Sequence, residues 1–202
     1  MTTEDSISPA PWWSTFLIFA GIYFVAALLR AVTATLAPEF SAEFGLRAAD
    51  LGLLAGVYFL GFSALQLPLG AALDRWGPRR VELVLLALAV LGCLLFALAR
   101  SFGQLVAARA LIGMGVASCL MAPLTYFRRH LGVEQQLRCN SWMLMAGSLG
   151  MVGSTTPVQW LLPVWGWRGQ FVALAVLLAL GMVLLRRGVP AAAPGKVGGA
   201  GA

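Results

Sequence analysis

Six long stretches of apolar residues, separated by short polar segments, make up most of this chain of 202 residues. Each stretch holds roughly 20 residues, which as a helix is long enough to cross the ~30 Å hydrocarbon core of a bilayer. The pattern therefore predicts an all-α integral membrane protein with six transmembrane helices. Their predicted bounds are about 12–36, 50–73, 81–99, 104–127, 139–162 and 168–185.

The apolar stretches lie between two segments of different composition. Residues 1–11 are polar and contain two prolines, and residues 188–202 are rich in glycine, alanine and proline. Compositions of this kind favour disorder and flexible linkage. We therefore predict a disordered segment over 1–11, a helical bundle over 12–187 and a flexible tail over 188–202.

The overall composition agrees with a membrane class. The chain is 60% hydrophobic and 11% charged, with a mean hydropathy of +0.85. A soluble domain of this size could not keep so much apolar surface in water with so few charges. A soluble globular protein is thereby excluded.

The positive charges predict the orientation of the chain. An N-terminus in the cytoplasm leaves only Arg47, Arg100 and Arg168 in outer loops, whereas far more basic residues fall in inner loops and the tail. The inner set is Arg75, Arg79, Arg80, Arg128, Arg129, Arg138, Arg186, Arg187 and Lys196. By the positive-inside rule, both termini are cytoplasmic and the membrane is predicted to be a bacterial inner membrane. The basic residues form no nucleic-acid motif, so we expect no nucleic-acid partner.

The sequence lacks the residue patterns of enzymes and metal sites. Cys93, Cys119 and Cys139 show no metal-ligand spacing, and His130 stands alone in a basic loop. Small buried hydrophobic residues are therefore the expected role of the first two cysteines. No nucleophile–base pair or phosphate loop is present. We expect no catalytic residue, metal or cofactor, and no enzymatic activity.

Two arginines lie within apolar stretches, Arg30 in the first and Arg109 in the fourth. A charge at the centre of a bilayer costs at least about 2.5–3.5 kcal/mol, so each needs a compensating interaction. Both are expected roughly 8–9 Å below the outer surface. Either they extend to the headgroups or to helix carbonyls, or they face a polar cavity and bind an anion. No acidic residue is expected within a span to pair with them.

Three polar residues extend this candidate site. Tyr23 lies two helical turns before Arg30 on the same side of the first helix, and Tyr58 shares a face of the second helix with Gln66. Either these side chains contact a substrate or they form hydrogen bonds between helices. The candidate substrate-binding set is therefore Arg30, Arg109, Tyr23, Tyr58 and Gln66.

A charged turn connects the second and third stretches. It contains Asp74 with Arg75, Arg79 and Arg80, and it requires tight backbone geometry at Gly70 and Gly77. Its pattern, G-x-x-x-D-R-x-G-x-R-R, closely resembles the signature loop of the major facilitator superfamily.

Two further patterns carry the same resemblance. Arg109 is followed by Gly113 and Gly115, which is similar to the family's arginine and glycine pattern in helix 4, although Ile112 replaces the expected glutamine. Gly166-Trp167-Arg168-x-x-Phe171 is similar to a common structural pattern of helix 6. The fifth stretch lacks the Gly-Pro pair of the family's antiporters, so antiport is not inferred.

The resemblance implies half of a major facilitator fold, one six-helix bundle made of two inverted three-helix repeats. Family members ordinarily have two such halves, with the substrate bound between them. The resemblance also implies transport of a small solute by alternating access. In that mechanism the loop with Gly70, Asp74, Arg75, Gly77, Arg79 and Arg80 acts as a conformational latch on the partner half.

Three interpretations of a single half follow. The chain pairs with a second six-helix half, either another copy of itself or a separate chain, to transport a solute that the arginines suggest is anionic. Alternatively, it is a membrane subunit or scaffold that does not transport. In the third interpretation it is a truncated transporter remnant. In each case the lipid bilayer is a partner of the chain.

Overall fold

The computed structural model describes residues 12–190, and every regular element in that range is an α-helix. The predicted disordered segment 1–11 lies outside the described residues, as does the predicted tail from residue 191 onward. The helices are α1 (Trp12–Thr35), α2 (Ala37–Phe44), α3 (Ala48–Trp76), α4 (Pro78–Ala97), α5 (Phe102–Gly115), α6 (Met121–His130), α7 (Val133–Gly153) and α8 (Thr156–Gly188).

Four of these helices, α1, α3, α4 and α8, are long and apolar enough to cross a membrane. Helix α5 is also apolar but has 14 residues, fewer than the ~20 that a span needs. The predicted all-helical membrane class is therefore confirmed. Within residues 12–190 the structure shows four helices that qualify as candidate spans, whereas the apolar pattern predicted six.

The differences arise where the chain interrupts a helix. The fourth predicted stretch divides into α5 and α6, with turns over residues 116–120. The fifth predicted stretch is interrupted at residues 154–155, and Pro157 lies in the first turn of α8, where its missing N–H would have no helical partner in any case. The predicted turn near Gly166 is present as a kink inside α8, where Gly166 has φ +61°. The short helix α2 occupies a segment that was predicted as a loop.

The bundle has two ends, each marked by an ion pair between residues of distant helices. At the end that we call the Asp74 end, Arg129 of α6 binds Asp74 of α3, and Arg79 of α4 donates to the backbone carbonyl of Arg186 in α8. At the opposite end, the Glu43 end, Arg168 of α8 binds Glu43 of α2.

Close approach of α3 and α5 brings the central polar residues together. A Cβ atom on Gly113 would lie 2.1 Å from the carbonyl oxygen of Tyr58, so only glycine allows this approach. Arg109 lies one helical turn before Gly113 and therefore meets the Tyr58 ring. The packing of two helices thus positions the candidate site.

Candidate functional site

Arg109 is the best-enclosed charged group of the candidate site. Its side chain is only 2% exposed. Its two terminal nitrogens donate to the carbonyl oxygens of Leu29, at 3.0 Å, and of Arg30, at 2.9 Å. Its guanidinium carbon lies 4.4 Å from the centre of the Tyr58 ring. Arg109 therefore joins α5 to α1 and α3.

These contacts explain how the bundle accommodates a buried cation. A helix carbonyl has a second lone pair that remains available after its i+4 hydrogen bond. Two such carbonyls and the negative face of an aromatic ring replace part of the hydration that burial removes. The Nε atom of Arg109 has no hydrogen-bond partner among residues 12–190.

Arg30 is held more loosely than Arg109. It is half-buried, and its Nε donates to the Tyr58 hydroxyl at a long 3.4 Å. Its guanidinium carbon lies 5.4 Å from the centre of the Phe62 ring. Among the described residues, no acceptor is within hydrogen-bond distance of its two terminal nitrogens. Arg30 therefore has donors available for another molecule.

The structure brings together three of the five predicted site residues, namely Arg30, Tyr58 and Arg109. Tyr23 lies elsewhere, with its ring against Gly147 of α7, where an added Cβ would be 2.4 Å from Cε1. Gln66 lines a separate pocket of about 280 Å³ beside Asp74.

The charged turn between α3 and α4 has a definite hydrogen-bond arrangement. Gly77 has φ +80°, a conformation that favours glycine, and its N–H donates to the Leu73 carbonyl. Arg129 binds the Asp74 carboxylate at 2.9 Å and also approaches the Leu73 carbonyl at 3.4 Å. The turn is therefore tied to α6 within the same bundle.

Two arginines of this turn take no part in these hydrogen bonds. Arg75 and Arg80 are exposed, and neither has a hydrogen bond or ion pair with any other part of the described chain. Arg75 instead lies over the Trp76 ring, 5.6 Å from its centre.

A buried acidic residue was missed by the sequence analysis. The expectation that no acidic residue lies within a span is wrong at Glu82, which lies inside α4 and is 0% exposed. Neither carboxyl oxygen of Glu82 has a hydrogen-bond partner within residues 12–190. The signal that could have revealed it is Pro78, since a proline at the first helical position places Glu82 more than one turn inside the helix.

Glu43 forms the most extensive polar cluster at the opposite end. Its carboxylate accepts two hydrogen bonds from Arg168, at 2.8 and 2.6 Å, and one from the Trp167 indole at 2.8 Å. Arg168 also donates to the Ala99 carbonyl at 3.0 Å. The hydrogen bond from Arg168 is the main cause that lowers the pKa of Glu43 below its ordinary value of 4.5. The sequence pattern at 166–171 indicated a structural role but did not reveal this acidic partner.

The structure shows no metal-binding cluster of His, Cys, Asp and Glu in its described part. Cys93, Cys119 and Cys139 are all buried and free. The surroundings of Arg30 offer features that can contact a small polar or anionic molecule. These features are hydrogen-bond donors and an aromatic wall.

Comparisons with known proteins identify the family that this chain resembles. The family model of the Major Facilitator Superfamily matches residues 12–202. A probable L-galactonate transporter from Escherichia coli (strain K12) is 32% identical over 154 residues, which cover 72% of this chain and 33% of that protein.

Two other relatives give similar matches. A probable sulfoacetate transporter from Cupriavidus necator is 28% identical, over 81% of this chain and 38% of its own length. A 4-hydroxybenzoate transporter from Pseudomonas aeruginosa is 27% identical, over 90% of this chain and 40% of its own length. The chain therefore spans two fifths or less of each of these three relatives.

Proposed function

The chain belongs to the Major Facilitator Superfamily, and we propose that it forms one half of a transporter that moves a small organic anion by alternating access. Its long apolar helices and its family identify it as an integral membrane protein. The second six-helix half is supplied either by another copy of the chain or by a separate chain. The observation that carries the proposal is the unoccupied pair of donors on Arg30, within the bundle.

The proposed topology has six spans. Helices α1, α3, α4 and α8 supply four of them, α5 and α6 together form a fifth across their short connection, and α7 forms the sixth. Helices 1–3 and 4–6 of this count would be two inverted repeats. The Asp74 end, where most of the basic residues lie, would face the cytoplasm.

The preference for an anion rests on charge. Arg30 and Arg109 lie side by side, and the hydrogen bonds of Arg109 go to backbone carbonyls, so no carboxylate neutralises either guanidinium within the described cluster. A planar guanidinium binds a carboxylate or sulfonate through paired hydrogen bonds. Galactonate, sulfoacetate and hydroxybenzoate, for which the relatives are named, are all organic anions.

The two arginines would have different tasks. Arg30 would contact the anion, whereas Arg109, whose terminal nitrogens are already occupied, would fix the backbone of Arg30 through its carbonyl. Tyr58 would orient both, since it receives a hydrogen bond from Arg30 and stacks under Arg109. Tyr23 and Gln66 remain proposed contacts on the path of the solute.

Two observations support the need for a second half: the share of a relative that this chain covers, and the large apolar side chains on the surface of the bundle. The chain covers 33% of the galactonate transporter with which it aligns. Helices α3 and α7 both present large apolar side chains outward, including Leu67, which is 92% exposed, and Leu144, which is 58% exposed. In this arrangement the Asp74 loop would dock on the partner half in one state of the transport cycle. It would release the partner half in the other state.

The first experiment measures the mass and composition of the gently solubilised protein from its native membrane. A stable dimer, or a stoichiometric complex with another six-helix chain, is the expected result. A lone monomer, or a complex with an unrelated protein, would contradict assembly from halves.

The second experiment tests the anion site by direct binding. Purified protein is titrated with benzoate and gluconate, and with the neutral compounds benzamide and sorbitol, by isothermal calorimetry. The carboxylates should bind and the neutral compounds should not. Arg30→Ala should weaken carboxylate binding about 10- to 100-fold, the range for loss of a charge-assisted hydrogen bond.

Two further variants complete the test. Arg109→Ala should also weaken binding, because α1 loses the contact that positions Arg30. Arg100→Ala, which removes an exposed arginine at the Glu43 end, is the matched control and should bind as the wild type does. Equal carboxylate binding by the wild type and the Arg30 and Arg109 variants would refute the proposed site.

A further inference from the structure

A long apolar groove lies between α3 and α4 near the Asp74 end. Its volume is about 470 Å³, and its walls are almost wholly apolar, including Leu65, Pro68, Ala72 and Val84. Val84 is 70% exposed, so this side of the groove is open. In a membrane-spanning bundle, an open groove between two helices is in contact with lipid.

The groove is polar at one end only. Trp76 and Arg80 line it where α3 ends and α4 begins. Arg80 has no hydrogen bond or ion pair within residues 12–190, and Arg75 lies next to this end above the Trp76 ring. The neighbouring carboxylate of Asp74 lines a different pocket and is bound by Arg129. The charge at this end of the groove is therefore positive.

The length of the groove matches one leaflet of a bilayer. From Leu65 to Trp76 the lining of α3 covers eleven residue-to-residue steps, or roughly 16 Å at 1.5 Å per step. Half of a ~30 Å hydrocarbon core is about 15 Å. Tryptophan and arginine at the end of such a length lie at the depth of the headgroups, where both are favoured.

We infer that this groove binds an anionic phospholipid, with an acyl chain along α3 and α4 and the phosphate group at Arg80. An apolar channel of one leaflet's length that ends in an unpaired cation has the same polarity as such a lipid. A cation beside an anionic membrane surface contributes about 1 kcal/mol, which favours anionic over zwitterionic headgroups. The inference depends on membrane insertion and not on the transported solute or on the second half.

The test measures lipid retention by native mass spectrometry. Purified protein is titrated with phosphatidylglycerol, which is anionic, and in parallel with phosphatidylcholine, which is zwitterionic. The wild type should retain one phosphatidylglycerol molecule per chain in preference to phosphatidylcholine. Arg80→Ala should weaken that retention about fivefold, the equivalent of roughly 1 kcal/mol.

Two variants distinguish lipid binding in the groove from a general effect of positive charge at this end of the bundle. Arg187→Ala removes an exposed arginine at the same end of the bundle and should leave retention unchanged. Ala72→Phe fills the groove, leaves Arg80 in place and should also weaken retention. Circular dichroism verifies that each variant keeps its helix content.

Three outcomes would overturn the inference. One is equal retention of both lipids by the wild type. Another is retention by Arg80→Ala equal to that of Arg187→Ala. The third is loss of a protein dimer rather than of lipid in Arg80→Ala and Ala72→Phe, which would assign the groove to a second protein chain.

Discussion

The two ends of the bundle are both closed by an acidic residue and an arginine from distant helices, but they are closed differently. At the Glu43 end, one carboxylate accepts three hydrogen bonds, and the residues are 124 and 125 positions apart in the chain. At the Asp74 end, Arg129 makes one contact with a carboxylate whose side chain is 68% exposed. The number of donors to the carboxylate and the exposure of that carboxylate, 39% for Glu43 and 68% for Asp74, distinguish the two ends.

The surroundings strengthen this contrast. Behind Glu43 lies a cluster of buried rings, with Phe96 stacked on Phe171 at 4.2 Å and Phe40 packed against Trp167 at 5.0 Å. Near the Asp74 end, α4 instead carries the carboxyl group of Glu82, which has no hydrogen-bond partner in the described part of the chain. One end therefore combines several hydrogen bonds with aromatic packing between distant helices, whereas the other relies on a single ion pair with an exposed carboxylate. This difference would suit the latch role that we propose for the charged loop.

The largest expected effect comes from Glu82. Glu82→Met should raise the free energy of unfolding by about 1–3 kcal/mol, because it replaces a buried, unsatisfied polar group by an apolar one of similar size. Thermal unfolding in detergent monitored by circular dichroism measures the change. Glu134→Met, at an exposed acid of α7, is the control and should lie within about 0.5 kcal/mol of the wild type. A marked loss of stability in Glu82→Met would show that the carboxyl group has a partner in the folded protein.

Arg168→Ala should have the next largest effect, a loss of about 1–2 kcal/mol of stability. The variant removes both hydrogen bonds to Glu43 and the bond to the Ala99 carbonyl. The expected loss is below that of a fully buried pair, because the two side chains are 42% and 39% exposed. Arg168→Lys should recover only part of the stability, since an ammonium group cannot form the parallel pair of hydrogen bonds that the planar guanidinium makes to a carboxylate. Full recovery by lysine would contradict the role assigned to paired hydrogen bonds.

Glu43→Gln should lose about 1 kcal/mol at neutral pH, and the loss should depend on pH. The pKa of Glu43 is lower in the folded protein than its ordinary 4.5, so the charged carboxylate contributes fully above pH 4.5. That contribution falls as the pH drops below 4.5 and Glu43 takes up a proton. The difference between wild type and variant, measured by thermal unfolding at pH 7 and pH 3, should therefore shrink in acid. A difference that is the same at both pH values would assign the effect to packing.

Asp74→Asn should have the smallest effect on stability, below about 0.5 kcal/mol, because its ion pair is single and exposed. If the loop is a latch, the same variant should lower the rate of solute uptake by the assembled transporter far more than it lowers membrane insertion. Uptake by proteoliposomes and the amount of protein in the membrane are measured together. Undiminished uptake at normal insertion would contradict the latch.

The sequence predicted those parts of the molecule that depend on local pattern. The first three spans follow from the lengths of apolar stretches, and α1 ends at Thr35, within one residue of the predicted end. The loop geometry at Gly77 follows from glycine's access to positive φ. Pro157, by contrast, could be placed inside a helix or at its start, and only tertiary packing decides between the two.

The partners of the site could not be predicted, for two physical reasons. Arg109 binds main-chain carbonyls of α1, and carbonyls are the same at every position of a sequence. Glu43 and Arg168 lie on α2 and α8, whose meeting depends on the arrangement of all helices between them. Likewise, nothing in the sequence separates Tyr58, which joins the arginines, from Tyr23, which packs against α7.

The burial of all three cysteines has a practical consequence for spectroscopy. Cys93, Cys119 and Cys139 are each 1% exposed or less, so thiol reagents in solution have little access to them in the folded protein. Single cysteines introduced at exposed positions near each end, such as Gly103 and Leu137, can then be labelled selectively without first removing the native ones. Pairs of spin labels placed in this way would report directly how far each end of the bundle moves when a candidate solute is added.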